Sequence, residues 1–435
     1  MGKTVLCHGV FDVLHAGHLS YFESAKKFGD TLIVSVTSDR FVAKGPNRPH
    51  FPASVRVKML QSLKVVDTVV LSDSETAVDV INMIKPDFYV KGPDYNHKIT
   101  GNLAKERDAV ESNGGKLVFT DDPLESSSQF INRFFNNWTD EQNKIREAIN
   151  GLGGLEAIKK CFDKVASLHV KIIGENIIDK YVFCLAEGVS SKSPSLSARY
   201  GSEKSYAGGV AAIQNHVAEF VKDTSITSQL HPITKTRFIS GNTRLLELTH
   251  IDEDVVTLWN PTKTDTTLVA DFGHGLIHGE LLGEIERMQG FVALNVQTNS
   301  SNFGFNPYTK HKRFDYLSLD TREARIAHHD KHSKPLDLAK KIKANQFSMT
   351  MGADGAYFYS DGDCAYSPAF TSNVVDAMGA GDAYFAVTSL LTRVSSPPEI
   401  VVFVGNVFAG LKAESLGQTI ITKEKLLRTI ESILK

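Results

Sequence analysis

Cysteine is scarce. Cys7, Cys161, Cys184 and Cys364 are the only four in 435 residues, and no two form a CxxC pair. That excludes a zinc pattern and a disulfide framework and fits a reducing compartment. Long apolar runs are missing too. Nothing approaches the ~20 residues a membrane span needs. Met1-Gly2-Lys3-Thr4 leads directly into a short apolar strand, with no signal-peptide pattern. Leu6 stands where a myristoylation signal requires Ser or Thr. Neither sign of charge dominates, and a formal net charge of −2 gives no reason to expect nucleic-acid binding. No internal repeat is visible. These absences point to a cytoplasmic chain with no membrane and no nucleic-acid partner. With 435 residues it exceeds one ordinary core, so two or three domains are expected.

What is present is a regular alternation of strand and helix. Short apolar runs at 5–8, 31–36, 68–71, 87–90 and 116–120 read as strands. Helical patterns at 18–28, 55–63, 77–84 and 105–112 lie between them. Such βαβ spacing implies a parallel sheet, so residues 1–137 are predicted to form a doubly wound α/β domain. The polar stretch 136–143 is a break, and Thr139 or Asp140 is a candidate cap for a connecting helix running toward Leu152. Residues 138–164 are expected to be this linker helix and a hinge at 151–154. A second α/β series then occupies 165–435, with strands predicted at 170–174, 267–270, 292–295, 316–319 and 347–350. A long helix is predicted from about Gly381, because Ala383 to Leu391 is mostly apolar without Gly or Pro.

His15-Ala16-Gly17-His18 sits where the first strand has ended and a helix begins. A helix N-terminus favours phosphate. Two histidines spaced three apart there can both donate to charge building on an α-phosphoryl group. Gly17 lets a nucleotide approach the backbone. Alone, HxxH is more often a pair of solvated or capping histidines. The full string Gly9-Val10-Phe11-Asp12-Val13-Leu14-His15-Ala16-Gly17-His18 resembles the nucleotidyltransferase (cytidylyltransferase-like) family. Lys44-Gly45-Pro46-Asn47-Arg48-Pro49 with Arg56 is similar to that family's triphosphate-contacting loop. Lys91-Gly92-Pro93-Asp94-Tyr95 resembles its Lys-Gly-Gly-Asp-Tyr, and Ser126-Ser127-Ser128 its Ser-Thr-Thr segment. The resemblance implies that His15 and His18 are catalytic. Gly9, Phe11, Gly17, Lys44, Arg56, Ser126, Ser127 and Ser128 would hold nucleotide or phosphate, and Lys91 and Asp94 substrate. Asp12 is either a Mg²⁺ holder or a loop cap.

Asp376-Ala377-Met378-Gly379-Ala380-Gly381-Asp382 precedes the long apolar helix. Gly379, Ala380 and Gly381 can present N–H groups to an anion. Asp382 beside them can take the proton from a hydroxyl attacking a γ-phosphorus. A Gly-rich turn with an Asp cap is the plain alternative. The string resembles the Asp-Thr-x-Gly-Ala-Gly-Asp signature of the ribokinase/PfkB carbohydrate kinases. Gly208-Gly209, Gly174-Glu175 with Asp179, and Thr350-Met351-Gly352-Ala353-Asp354-Gly355 resemble further segments of that family. Asp271-Phe272-Gly273-His274-Gly275 and Thr234-Lys235-Thr236-Arg237 are similar to the heptose kinases. The resemblance implies Asp382 as catalytic, and Gly352 and Gly355 beside the nucleotide. Asp179, Gly208, Gly209 and Asp376 would meet the sugar, and Glu323 would hold metal. Ala377 in place of Thr, and Asp320 in place of the Asn of Asn-x-x-Glu, depart from the pattern. The amide-rich run 295–302 either lines a site or is a simple polar loop.

Together these stretches resemble a bifunctional sugar kinase/nucleotidyltransferase, nearest the heptose-phosphate kinase/adenylyltransferase family but with the domain order reversed. The implied fold is α/β, with an N-terminal Rossmann-like nucleotidyltransferase and a C-terminal ribokinase-like kinase. The implied chemistry is ATP-dependent phosphorylation of a sugar or sugar phosphate at the anomeric hydroxyl, with Mg²⁺. Transfer to a nucleotide from ATP or CTP would follow, releasing pyrophosphate, for surface polysaccharide or glycoconjugate synthesis. The alternatives are a cytidylyltransferase for a polyol or alcohol phosphate with a partner kinase, or a non-catalytic, sugar-sensing kinase half. Exposed sheet edges and relatives of similar fold make a homodimer plausible.

Overall fold

The computed structural model describes residues 2–42, 48–92, 101–121, 138–241, 243–252, 257–258, 264–299, 302–371, 373–415, 417 and 419–435. The chain divides into two compact units, Met1–Trp138 and Thr139–Lys435.

In the first unit, strands β1 (Thr4–Gly9), β2 (Thr31–Thr37), β3 (Thr68–Ser72), β4 (Phe88–Lys91) and β5 (Lys116–Phe119) alternate with helices. The helices are α1 (Ala16–Lys26), α2 (Ala53–Gln61), α3 (Val78–Ile84) and α4 (Asn102–Ser112). All the pairings are parallel, in the order β3-β2-β1-β4-β5. Strand alternation explains the two helical layers. Val5 and Cys7 of β1 enter one core with Phe22, Val34 and Leu60. Leu6 enters the other with Ile81, Tyr89 and Val110. A central parallel strand is covered on both faces, which is why it reads as a continuous apolar run. The chain moves outward through β2 and β3, then returns to the other side of β1 as β4 and β5. The order therefore reverses between β1 and β4, and ligands of open α/β sheets bind outside the strand ends at such a point.

The second unit has a nine-stranded sheet in the order β12-β9-β6-β13-β14-β15-β16-β17-β18. Its strands are β6 (His169–Gly174), β9 (Asp223–Gln229), β12 (Thr257–Leu258), β13 (Thr266–Asp271), β14 (Phe291–Val296), β15 (Tyr316–Asp320), β16 (Gln346–Thr350), β17 (Ala356–Ser360) and β18 (Asp363–Ser367). From β9 to β16 the neighbours are parallel, and the two edges are antiparallel. A separate four-stranded sheet, β11-β10-β7-β8, is made of β7 (Asn176–Val189), β8 (Leu196–Gly209), β10 (Ile233–Ser240) and β11 (Thr243–His250). The strands predicted at 170–174, 267–270, 292–295, 316–319 and 347–350 are β6, β13, β14, β15 and β16.

The stretch 138–164, expected to be a linker helix and a hinge, has the expected helix capped by Thr139, and from Thr139 onward its residues belong to the second unit. They form α5 (Asp140–Gly151) and α6 (Gly154–Val165), both within the second unit. Thr139 caps α5 in a reciprocal capping box with Gln142. Ile145, Ile149, Ile158, Phe162 and Val165 are buried. Arg146 Nε donates to Ile433 O at 2.6 Å and Gln142 Nε2 to Ala369 O at 2.9 Å. Gly153 and Gly154, with φ of 104° and 60°, make a tight helix–helix turn. The sequence reading missed the second helix's apolar stripe.

The long helix is α11 (Ala380–Arg393), buried along most of its length against α12 (Pro398–Ala413). Gly405 makes this close crossing possible, since a Cβ there would lie 2.6 Å from Thr388 Cγ2. The remaining helices are α7 (Val210–Ala218), α8 (Gly279–Arg287), α9 (Thr321–Ala327), α10 (Pro335–Ala339) and α13 (Lys423–Leu434). Among the described residues, no helix is long and apolar enough to cross a membrane.

Candidate functional sites

In the first unit, α1 starts at the carboxyl end of β1, beside the reversal of strand order. His15 is its N-cap, and His15 Nδ1 accepts from Gly17 N at 3.1 Å. His18 lies one turn on, and the two imidazoles are 4.0 Å apart between centroids. His15, Gly17 and His18 are all partly exposed. A phosphate at this helix start would meet both rings. Phe11 takes φ = 50° and is buried, with its ring 5.4 Å from His18 and 5.1 Å from Phe22. Its ring forms a floor under the motif. Gly9 serves the same packing, because a Cβ there would lie 3.0 Å from the Phe11 ring.

Arg56 is corrected from phosphate ligand to structural clamp. It is fully buried. It donates to Phe51 O at 2.9 Å, Val10 O at 2.5 Å, Thr37 O at 2.9 Å and Asp39 Oδ1 at 2.6 Å. Those bonds use four of its five N–H groups. Asp12 is likewise a loop cap, accepting from His50 N and Phe51 N at 3.0 Å and lying 3.0 Å from Arg48 Nε. Arg56→Met is expected to destabilise this unit by about 3–5 kcal/mol, because it strands buried acceptors. Denaturant unfolding checks it. A phosphate ligand would instead show a higher KM for the nucleotide at unchanged stability.

Lys91, expected at the substrate, is buried at the end of β4, 3.4 Å from Glu106 Oε2 and over the Tyr89 ring. Glu106 also accepts from Tyr89 OH at 2.8 Å and Ala77 N at 3.0 Å. His8 is held by Ser35 Oγ at 3.0 Å and Thr37 Oγ1 at 3.3 Å. Burial, then the charge of Lys91, pushes its pKa down to about 4, so it is neutral. Lys44, Asp94, Ser126, Ser127 and Ser128 lie outside the described residues.

In the second unit a cavity of about 280 Å³ opens among β7, β10, the carboxyl ends of β14–β16 and the loop before α11. Asp382 lies in the first turn of α11 and is buried. Its Oδ1 accepts from Gln297 Nε2 at 2.6 Å. Burial pushes its pKa up to about 6, with Asp179 adding to the shift and Lys412 and Lys235 opposing it. Gly379, with φ = 76°, caps the helix, and it lines the cavity with Ala377 and Gly381. Ala380 does not line it, and its N–H goes to Ala377 O at 3.2 Å.

Asp179 also lines the cavity and forms a buried ion pair with Arg237, which reaches Glu247 Oε2 at 2.9 Å. Gly208 lets β8 pass Asp179, since a Cβ there would collide with the carboxylate. At Gly209, φ = 57° and the carbonyl of Glu175 both demand glycine. Gly209 lines the cavity, and Gly208 does not.

Three further sets of expected residues are placed by the fold. Asp376 does not line the cavity. Its carboxylate accepts from Met378 N at 3.1 Å, Tyr181 OH at 3.2 Å and Gly417 N at 3.3 Å, so it anchors the loop. Gly352 and Gly355 shape the turn after β16 without lining the cavity, and Thr350 lines it instead. Glu323 lines the cavity, but its oxygens accept from Thr298 N at 3.2 Å and Asp320 N at 2.8 Å. Asp320 and Glu323 form the capping box of α9, which accounts for the Asp where the pattern has Asn. Burial, then Asp320, raises the Glu323 pKa. Among the described residues no group of three or more His, Cys, Asp or Glu could hold a metal ion.

Lys235 and Arg237 line the cavity but carried no assigned role in the sequence, while Asn295, Gln297 and Thr298 come from the amide-rich run 295–302, one of whose two readings was a site lining. The alternation in Thr234-Lys235-Thr236-Arg237 was the available signal, because i and i+2 share a strand face. Glu175 was matched only as part of a motif. It is buried and accepts from Phe272 N and His274 N, both at 3.0 Å, so it fixes the turn that brings Phe272 to the cavity.

The first unit is thus an α/β nucleotidyltransferase-like domain, and the second has a ribokinase-like fold. Residues 6–133 match the cytidylyltransferase-like family model, and residues 278–425 match the pfkB family carbohydrate kinase model. The bifunctional protein HldE of Campylobacter fetus is 51% identical over 100 residues, 22% of this chain and 22% of that protein. The HldE of Methylobacillus flagellatus is 39% identical over 135 residues, 30% of this chain and 27% of that protein. These matches therefore span about a quarter of each relative's length. A ribokinase from Thermotoga maritima aligns over 61% of this chain and 99% of its own, with TM-score 0.47 and 15% identity. In this chain the transferase-like match comes first. The expectation that this reverses the order in the heptose enzymes is corrected: these matches do not support it, and it is dropped.

Proposed function

We propose that this chain is a bifunctional sugar-activating enzyme. The second unit phosphorylates a sugar or sugar phosphate with ATP at the anomeric hydroxyl. The first unit joins that phosphate to a nucleotide from ATP or CTP, releasing pyrophosphate. The product is a nucleotide-diphospho-sugar for surface polysaccharide or glycoconjugate assembly in the cytoplasm. The observation that carries the reading is Asp382: a buried carboxylate at a helix start, in a cavity bearing Lys235, Arg237 and Asp179.

Asp382 accepts the proton of the attacking hydroxyl while Gln297 orients its other face. The first turn of α11 and the two cations offset charge on the transferring group. Asp179, fixed by Arg237, accepts from substrate hydroxyls. Mg²⁺ bound with ATP supplies charge neutralisation on the phosphates. In the first unit His15 and His18 stabilise the α-phosphoryl charge, and the substrate phosphate needs no base because it is already an anion.

Incubating the full chain with each nucleotide triphosphate and a panel of sugars and sugar phosphates tests the reading. ADP formation reports the kinase and pyrophosphate release reports the transferase. Neither signal with any pairing would sink the proposal.

The register also supports a homodimer. Arg237 pairs with Tyr181 and Glu247, on the face carrying Asp179. Leu246 and Leu248 alternate to the opposite face and are 57% exposed. Two copies packed through this outer face would bury them. Leu246→Asp is then expected to halve the mass seen in sedimentation, and a monomeric wild type would refute the pairing.

A further inference from the structure

Lys412 of α12 is fully buried, and its ammonium is held by two backbone carbonyls. Its Nζ donates to Met378 O at 2.8 Å and to Gly417 O at 2.6 Å. Asp376 holds the same two residues by their other backbone groups, accepting from Met378 N at 3.1 Å and Gly417 N at 3.3 Å. Met378 and Gly417 are thus clamped twice, by carbonyl to a cation and by N–H to an anion. Met378 belongs to the stretch that lines the cavity and leads into Gly379, Gly381 and Asp382. The ring of Tyr206 closes over Gly417, where a Cβ would lie 2.6 Å from it.

A buried ammonium costs several kcal/mol unless something compensates it. The compensation here is two carbonyl dipoles and the nearby charges of Asp376, Asp382 and Asp179. Burial pulls the Lys412 pKa down and those carboxylates oppose it. Carbonyl oxygens in a dry site are also the donors that hold K⁺ in proteins. We propose that the Lys412 ammonium is a built-in monovalent cation that keeps the 376–382 loop in shape for phosphoryl transfer, making the enzyme independent of added K⁺. The proposal rests on the kinase reading. Lys412 is a positioning residue, acting through the loop and not on substrate.

The test compares wild type, Lys412→Met and Lys412→Ala as full chains. The methionine keeps the length without the charge, and the alanine leaves room for an ion. Lys412→Met is expected to lower kcat by ~10²-fold with the sugar KM little changed, as loop misplacement does. Amide hydrogen exchange should quicken over 376–383 and not across the unit. Lys412→Ala should regain about tenfold with KCl or NH₄Cl, cations that carbonyl oxygens hold, but nothing with choline chloride at equal ionic strength. Three results would overturn the proposal: kcat within about twofold of wild type with unchanged exchange, uniform loosening without ion rescue, or a wild type that itself needs K⁺. A wild type that turns over no sugar retires the kinase reading, while the local exchange comparison still decides whether Lys412 holds the loop.

Discussion

Replacing Asp382 by Asn is expected to lower sugar-dependent ADP formation by about 10³-fold while pyrophosphate release from a supplied sugar phosphate stays at the wild-type level. The substitution keeps the shape and the contact with Gln297 but removes the proton acceptor, and general-base catalysis is worth ~10²–10⁴. Asp382 lies in the first turn of α11 but makes no cap hydrogen bond, the N-cap being Gly379, so the isosteric neutral side chain removes no cap and folding is not the confounder. The pH dependence supplies a second signature. Burial holds the Asp382 pKa near 6, and only the ionised form accepts a proton. Kinase kcat/KM should therefore rise with pH through a limb centred near 6 and level off above it. A variant that retains this limb, or that turns over at more than about a tenth of the wild-type rate, would remove Asp382 from the role of base.

That assignment was legible because the chemistry sits in a local string. Asp376 to Asp382 is contiguous, as is His15 to His18, and each leads into a helix start, the second directly after the first strand. The parallel cores were legible for the same reason: strands covered on both faces must be apolar throughout. What escaped was long-range. Arg56 looks like a phosphate ligand in sequence, and only its burial against Val10, Thr37 and Phe51 shows a clamp. Asp376 looks like a sugar ligand, but its partners Tyr181 and Gly417 lie 195 and 41 residues away. The four-stranded sheet was touched only by the Thr234 to Arg237 likeness, because much of β7 and nearly all of β8 and β11 are exposed and lack the unbroken apolar pattern. Glu323 was assigned to metal because its reciprocal cap with Asp320 needs the helix start to be in place first.

The histidine pair invites the complementary experiment on the first unit. His18→Ala is expected to cut pyrophosphate release by about 10²–10³-fold, the range for removing one donor to a developing oxyanion. Sugar-dependent ADP formation should be untouched, since that site lies in the other unit. His15 needs a different substitution. Its Nδ1 caps α1 by accepting from Gly17 N, so His15→Ala loses a cap worth about 0.5–2 kcal/mol as well as any catalytic contact. His15→Asn retains a capping acceptor and lacks the imidazole, so it separates the two roles. If both histidines meet the same phosphate, as rings 4.0 Å apart at one helix start allow, the Asn variant folds normally and still loses transfer. The double variant should then lose little more than either single one, because groups that act on one charge are not additive. Full transferase activity in His15→Asn would leave His15 a cap alone. Wild-type release by His18→Ala would take the α-phosphoryl chemistry away from this motif altogether.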